Sequence, residues 1–212
     1  MNRDHPLAEV VEAAARGRFP AVDGVAEVLP PDHAGTHAVV DFTGHSFILT
    51  DLPANQLVRF RPNGFGAAMQ PRLLAHLAGA NGVIGTVDVV MVARRSRTDS
   101  HPLPRRTDLD DHARVQRARH HRQHVVVYGD ERGLACIGNG LVGRTEISIE
   151  LTGAAPARGF GRDLLRAALE HVPEGEFVFA QVSPGNAASI RTFLACGFVP
   201  IGGEVIIEPD RA

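Results

Sequence analysis

Lysine and tryptophan are absent from this chain, tyrosine occurs once and cysteine twice. All 22 basic residues are therefore arginine, which beside so much Ala, Gly and Val we read as the codon bias of a GC-rich genome. Cys136 and Cys196 stand alone, one expected in a strand and one late in a helix. That disfavours a disulfide or a metal pair and fits buried free thiols, with a lone thiol donor as the minor alternative. No run approaches the roughly 18–20 apolar residues of a membrane span. Asp4 and Glu9 come early, without a signal peptide's basic and apolar regions, so no membrane partner is expected and the cytoplasm is the expected location.

What is present is an ordinary globular composition, with 44% apolar and 22% charged residues in 212, enough to bury a sizeable core in one large or two small domains. The charge is unevenly spread: the stretch from Arg94 to His124 carries nine Arg against four Asp, +5, leaving −7 for the remainder and −2 in all. Such a stretch welcomes an anionic substrate or a phosphate. Nucleic acid is disfavoured, because the net charge is negative and aromatics are few. His120 and His124, four apart, would share a helix face as a metal pair does. No Cys or nearby Glu completes the set, so a solvated basic face is preferred and no metal is expected.

Periodicity predicts a first helix from Asp4 to Arg16 with Asp4 as its cap, a short strand from Val25 to Leu29, and a hairpin from His37–Phe42 to Ser46–Thr50 through Thr43-Gly44-His45. Pro53 to Phe60 and Pro71 to Ala78 read as helices, and Val83 to Val92 as an apolar strand. Gly64-Phe65-Gly66 echoes Gly159-Phe160-Gly161, but Pro71 would interrupt a following helix, so a turn is preferred to a decayed duplication. The expected division is residues 1–95 as an α+β portion of unassigned function, 96–107 as a linker or mobile loop, and 108–212 as a second domain. The last begins with a polar helix, Asp108 to Gln123, and continues as a meander of strands, Val125–Tyr128, Leu134–Gly138 and Thr145–Leu151.

The chemistry concentrates at Ala157-Arg158-Gly159-Phe160-Gly161-Arg162-Asp163, a glycine-rich turn running into an amphipathic helix whose Leu164, Leu165, Ala168 and Leu169 fall on one face. Free N–H groups at a positive helix end make an anion site, and a phosphate is the natural guest. Arg158 and Arg162 could add charge-assisted contacts, whereas Asp163 would compete for the same N–H groups unless it turns outward. A buried strand, Phe177–Val182, follows, then a helix capped by Asn186 and stopped by Gly197-Phe198.

This order, with Asn186-x-x-Ser189 and the closing Gly-Phe, resembles the GCN5-related N-acetyltransferase (GNAT) superfamily over roughly residues 108–208, about half the chain. The resemblance implies an α/β (α+β) fold with a GNAT-like, acyl-CoA-binding mixed sheet flanked by helices, acetyl-CoA as acyl donor and an amine as acceptor. On it, Leu151, Arg158, Gly159, Phe160, Gly161, Arg162, Asp163, Asn186, Ser189 and Phe193 line the donor site, Leu151 facing the pantetheine arm. Phe193 stands where the family often has a tyrosine that protonates the leaving thiolate, and Pro156 where the turn often has Gln or Arg. Acyl-CoA binding is thus implied more directly than a catalytic acid; Tyr128 is a remote substitute.

In the last meander strand, alternation puts Glu146, Ser148 and Glu150 on one face. The resemblance makes Glu146 or Glu150, with a slight preference for Glu146, the base that takes the amine proton; the alternative is a solvated face that keeps the protein soluble. The expected function is acetyl transfer to an amine of a small molecule or protein, with a non-catalytic acyl-CoA-binding regulatory module as the alternative. A homodimer stays open.

Overall fold

A proline in the first turn and a run of small and branched apolar residues start the first helix, α1 (Pro6–Ala15), which buries Leu7, Ala8, Val11 and Ala14. Its cap is His5 rather than the expected Asp4: the Nδ1 of His5 accepts from the Leu7 N–H at 3.2 Å while Nε2 meets the Pro30 carbonyl at 3.1 Å. The computed structural model describes residues 4–97, 100–153 and 159–210, in two units: one runs from Met91 to Pro200, the other joins the chain up to Val90 with the chain from Ile201. The fold is mixed α/β, with ten strands among the described residues.

In the unit that contains α1, β2 (His37–Phe42) and β3 (His45–Leu49) form the expected hairpin, and β1 (Ala26–Leu29) runs parallel to β3. The apolar run at 83–92 is not one strand. It divides into β4 (Val83–Ile84) and β5 (Asp88–Arg94), because Gly85 comes so close to the Ile206 carbonyl that a Cβ there would lie 2.9 Å from it. Pro53 to Phe60 gives two 3-10 turns, ended by Arg61 with φ +48°, rather than a helix. Helix α2 (Pro71–Ala78) takes Pro71 at its first position, where a missing N–H costs nothing. Its Leu73, Leu74 and Leu77 pack with Val39, Ile48 and Leu57. Gly64 belongs to a turn at which backbones nearly touch, since a Cβ there would fall 2.3 Å from the Gly44 carbonyl carbon.

The last strand, β10 (Val199–Glu208), pairs antiparallel with β2 from Gly203↔Asp41 to Ile207↔His37, and with β4. Main-chain pairing therefore gives residues from Ile201 onward to the unit that begins the chain, where the sequence division had placed them with residues 108–212.

The other unit has the strand order β5, β9 (Phe177–Val182), β8 (Thr145–Leu151), β7 (Gly133–Asn139), β6 (Gln123–Asp130). The last three form the antiparallel meander, and β9 lies parallel to β8. The described part of the expected linker is fastened to β6: the Arg106 N–H reaches the Val127 carbonyl at 2.9 Å, and the Gly129 N–H reaches Pro104 at 3.0 Å. Helix α3 (Ala113–His121) is shorter than the expected Asp108–Gln123 and starts at a His112 cap. It lays Val115 and Ala118 on Val127, Leu134 and Cys136. The backbone becomes extended at Arg122, so His124, with φ +51°, belongs to β6 and shares no helix face with His120. Helix α4 (Phe160–Leu169) buries Leu164, Leu165, Ala167, Ala168 and Leu169. Its last carbonyl, that of Leu169, accepts from Nε of the buried Arg95 at 2.7 Å. No described helix is long and apolar enough to cross a membrane.

Candidate functional site

Helix α4 begins at Gly159, whose φ of +100° and ψ of −20° suit glycine, and no side chain caps it. Intrahelical bonding starts with the Arg162 and Asp163 N–H groups, which reach the Gly159 carbonyl at 2.9 and 3.1 Å; the amides of Phe160 and Gly161 precede them. Arg158 lies outside the described residues. Arg162 and Asp163 are both exposed, and both lie over the turn: a Cβ on Gly159 would be 3.8 Å from Arg162 Nη2 and 3.9 Å from Asp163 Oδ2. The Asp163 carboxylate therefore does not turn away, and the two side-chain charges offset one another. The turn's attraction for an anion rests on its main-chain amides.

Gly161 allows a close approach of a different kind, since a Cβ there would meet Thr192 at 3.4 Å and Leu151 at 3.6 Å. Leu151, the last residue of β8, is thereby brought beside the start of α4. Thr192 belongs to α5 (Ala187–Ala195), where Asn186 Oδ1 accepts the Ser189 N–H at 3.0 Å, the capping bond expected from the sequence. Phe193 is 4% exposed and packs edge-on to Phe198 with ring centroids 4.9 Å apart. Tyr128 stacks on His171, at 3.6 Å between centroids, beyond the C-terminal end of α4. That is a helix length, roughly 15 Å, from the glycine turn.

Strands β8 and β9 share the register pair Glu146↔Phe179, and no further Cα pairing joins them among the described residues. Around that pair is a cluster that sequence reasoning missed. Glu146 is 5% exposed, and each of its oxygens accepts from an arginine: Oε1 from Arg144 Nε and Oε2 from Arg122 Nε, both at 2.8 Å. Arg144 is itself buried, with its guanidinium 5.4 Å from the Phe179 ring centroid. Burial alone would raise the Glu146 carboxyl, but the charges of Arg144 and Arg122 and their hydrogen bonds hold it below its ordinary value of 4.5. Two glycines vacate the space. A Cβ on Gly140 would fall 2.1 Å from the Glu146 carboxyl carbon, and one on Gly138 would fall 3.3 Å from Arg122 Cβ.

Glu150, on the same face of β8, is in a different environment. Its side chain is 42% exposed; Oε2 accepts from Arg114 Nε at 3.0 Å and Oε1 lies 3.7 Å from His112 Nε2. His112 Nδ1 accepts the Arg114 N–H at 3.2 Å, which leaves the proton of a neutral ring on Nε2, toward Glu150. Arg114, Arg122 and His112 flank or belong to the polar stretch before β6. Their only signal in the sequence was its excess of positive charge. Cys136 and Cys196 both have thiols pushed up by burial, which works against nucleophilic use.

No family model and no curated protein matches the sequence. Solved structures similar to the chain include one assigned as a GNAT-family acetyltransferase from Novosphingobium aromaticivorans, with 13% identity, 64% of this chain and 70% of that one covered, and a TM-score of 0.46. A GNAT-family acetyltransferase from Colwellia psychrerythraea has 12% identity, coverage of 60% and 57%, and a TM-score of 0.37. A GCN5-related N-acetyltransferase from Kribbella flavida has 12% identity, coverage of 70% and 65%, and a TM-score of 0.41. The chain spans less than two thirds of the length of these last two. Likeness of this degree assigns no reaction to the chain.

Proposed function

We propose that this protein is an acyltransferase of the GNAT type, moving an acetyl group from acetyl-CoA to an amine of a small molecule or protein. The observation that carries this reading is the glycine-started N-terminus of α4, free of any side-chain cap, next to a strand that shares a single register pair with its parallel neighbour. Main-chain amides at a positive helix end suit a diphosphate, and where two neighbouring strands stop pairing an extended, amide-bearing arm can bond their edges. Leu151, Gly159, Phe160, Gly161 and Arg162 hold the donor on this reading, with Arg158 beside them in sequence. Asn186 and Ser189 serve through the α5 cap, and Phe193 through packing behind the site.

Acetyl-CoA supplies an activated acyl group. The acceptor nitrogen bonds the acyl carbon as the carbon–sulfur bond breaks, so the amine sheds a proton and the thiolate takes one from solvent. Glu150 is the base, working through water, because it is half-exposed while Glu146 already serves as counter-ion to two arginines. A second reading, a non-catalytic acyl-CoA-binding module, is favoured by the buried Phe193, which has no proton to give.

Calorimetric titration with acetyl-CoA and with free CoA, followed by thiol release against a mixed amine panel, separates the two. Both ligands should bind, about tenfold more weakly in Arg162→Glu, whose exposed position leaves the fold intact. Thiol release should accompany binding and fall in Glu150→Gln. Absence of binding to either ligand would remove the donor assignment, and binding without release across the panel would move the chain to the second reading.

A further inference from the structure

Arg122 does more than neutralise Glu146. Its guanidinium makes three hydrogen bonds that fan across two strands: Nε to Glu146 Oε2 at 2.8 Å and Nη1 to Ser148 Oγ at 3.1 Å on β8, and Nη2 to Gln181 Oε1 at 3.3 Å on β9. Its side chain is 10% exposed, so these bonds are largely shielded from water. Ser148 and Gln181 are each two residues past the pair Glu146↔Phe179, on the same face, just where Cα pairing between the strands ceases. The guanidinium thus takes over the joining of β8 and β9 where the main chain stops doing it. A planar fork with five fixed donors can span two strands in this way, whereas a lysine ammonium cannot hold three partners in one plane.

Local backbone is shaped to deliver it. The chain leaves α3 at Arg122 in an extended conformation, and β6 then carries an extra residue between Gln123 and Val126 relative to β7, with His124 at φ +51°. Gly138, beneath it on β7, gives the Arg122 side chain passage toward β8: a Cβ there would lie 2.9 Å from the Gln123 carbonyl oxygen as well as 3.3 Å from Arg122 Cβ. From the other side, Arg144 holds Glu146 through its second oxygen, so the carboxylate is a fixed anchor for the clasp.

We infer that Arg122 is a positioning residue that ties β8 to β9 through Ser148 and Gln181, and so sets the spacing of the two strands beyond the pair Glu146↔Phe179. This rests on the acyl-transfer reading only for the use made of that spacing. The clasp itself concerns the free protein.

The test separates these two parts. Arg122→Met removes all three bonds but leaves Glu146 with one arginine, at a cost to folding; Gln181→Leu removes only the β9 arm and keeps the ion pairs. Amide hydrogen exchange of the unliganded proteins should quicken about tenfold at residues 148–151 and 181–182 in Gln181→Leu, the loss expected for one hydrogen bond to a charged group, with the thermal midpoint lowered by only a few degrees and exchange in segments that open locally elsewhere unchanged. Unchanged exchange in those stretches would overturn the clasp, whether or not the protein binds acyl-CoA. In the same variant, KM for acetyl-CoA should rise about tenfold with kcat within about twofold, a split that simple loss of folded protein would not give. Gln181→Glu, which keeps an acceptor for Nη2, should restore wild-type exchange and KM. If wild type fails to bind acetyl-CoA, the acyl-transfer reading falls and the exchange result still decides the clasp; if it binds and KM is unmoved in Gln181→Leu, the role in positioning falls.

Discussion

The two ends of β8 carry the same side chain on the same face and give it opposite conditions. At the N-terminal end, Glu146 is 5% exposed and gripped by two arginines; four residues on, Glu150 has a side chain 42% exposed and one close arginine partner. The difference arises in the neighbours. Gly138 and Gly140 leave a hollow at one end that admits a carboxylate and two guanidinium groups, whereas Leu134 lies beside Glu150 at the other. A carboxylate held ionised and fully bonded is a poor proton acceptor and a good structural anchor, while one in contact with water is available for proton transfer. Alternation along the strand could pair the two residues but could not assign their roles.

The widest expected separation comes from substituting each glutamate in turn. Glu146→Gln removes the charge that Arg144 and Arg122 both face at 2.8 Å in a largely water-free site and should cost about 3–5 kcal/mol in urea unfolding at neutral pH. Glu150→Gln should leave that stability within about 0.5 kcal/mol, as for an exposed pair, and act on thiol release alone. Equal destabilisation by both would erase the contrast. The pH dependence follows the same division. Because the folded Glu146 carboxyl is held below its ordinary 4.5, it contributes stability that is fully present above that value and is lost as the pH falls through the lower, folded one. Wild type should therefore lose stability on acidification below about pH 4.5 more steeply than Glu146→Gln, as measured by urea midpoints across that range.

Gly140→Ala tests the hollow itself. The new methyl would fall 2.1 Å from the Glu146 carboxyl carbon, and the overpacking should cost about 1–3 kcal/mol. Gly185→Ala, whose Cβ would meet nothing within 4 Å, is the control and should leave the thermal midpoint nearly unchanged. The smallest effect is expected away from β8, at the α5 cap: Asn186→Ala should cost about 1 kcal/mol by thermal unfolding, with no change in the Glu146 titration.

Periodicity and punctuation made much of the local structure legible. The hairpin at 37–49, helix α2, strand β9, the Asn186 cap and the glycine start of α4 all follow from preferences that act within a few residues, such as the conformational freedom of glycine and the reach of a short amide side chain. The readings that changed needed information from farther along the chain. His5 rather than Asp4 caps α1 because its ring also reaches Pro30; the run at 83–92 breaks at Gly85 because Ile206 lies against it; and α3 stops at His121 with Arg122 extended beside β6.

The sequence by itself determined the meander, the glycine turn before an amphipathic helix, and the presence of two carboxylates on one strand face, because each depends on residues adjacent in the chain or alternate along a strand. Only the tertiary structure decided that Glu146 is enclosed by Arg122 and Arg144 while Glu150 remains open to water, and that Gln181 shares an arginine with Ser148. Those pairings join residues from different strands, and a carboxylate's chemistry depends on the charges and solvent around it, which spacing along the chain does not encode.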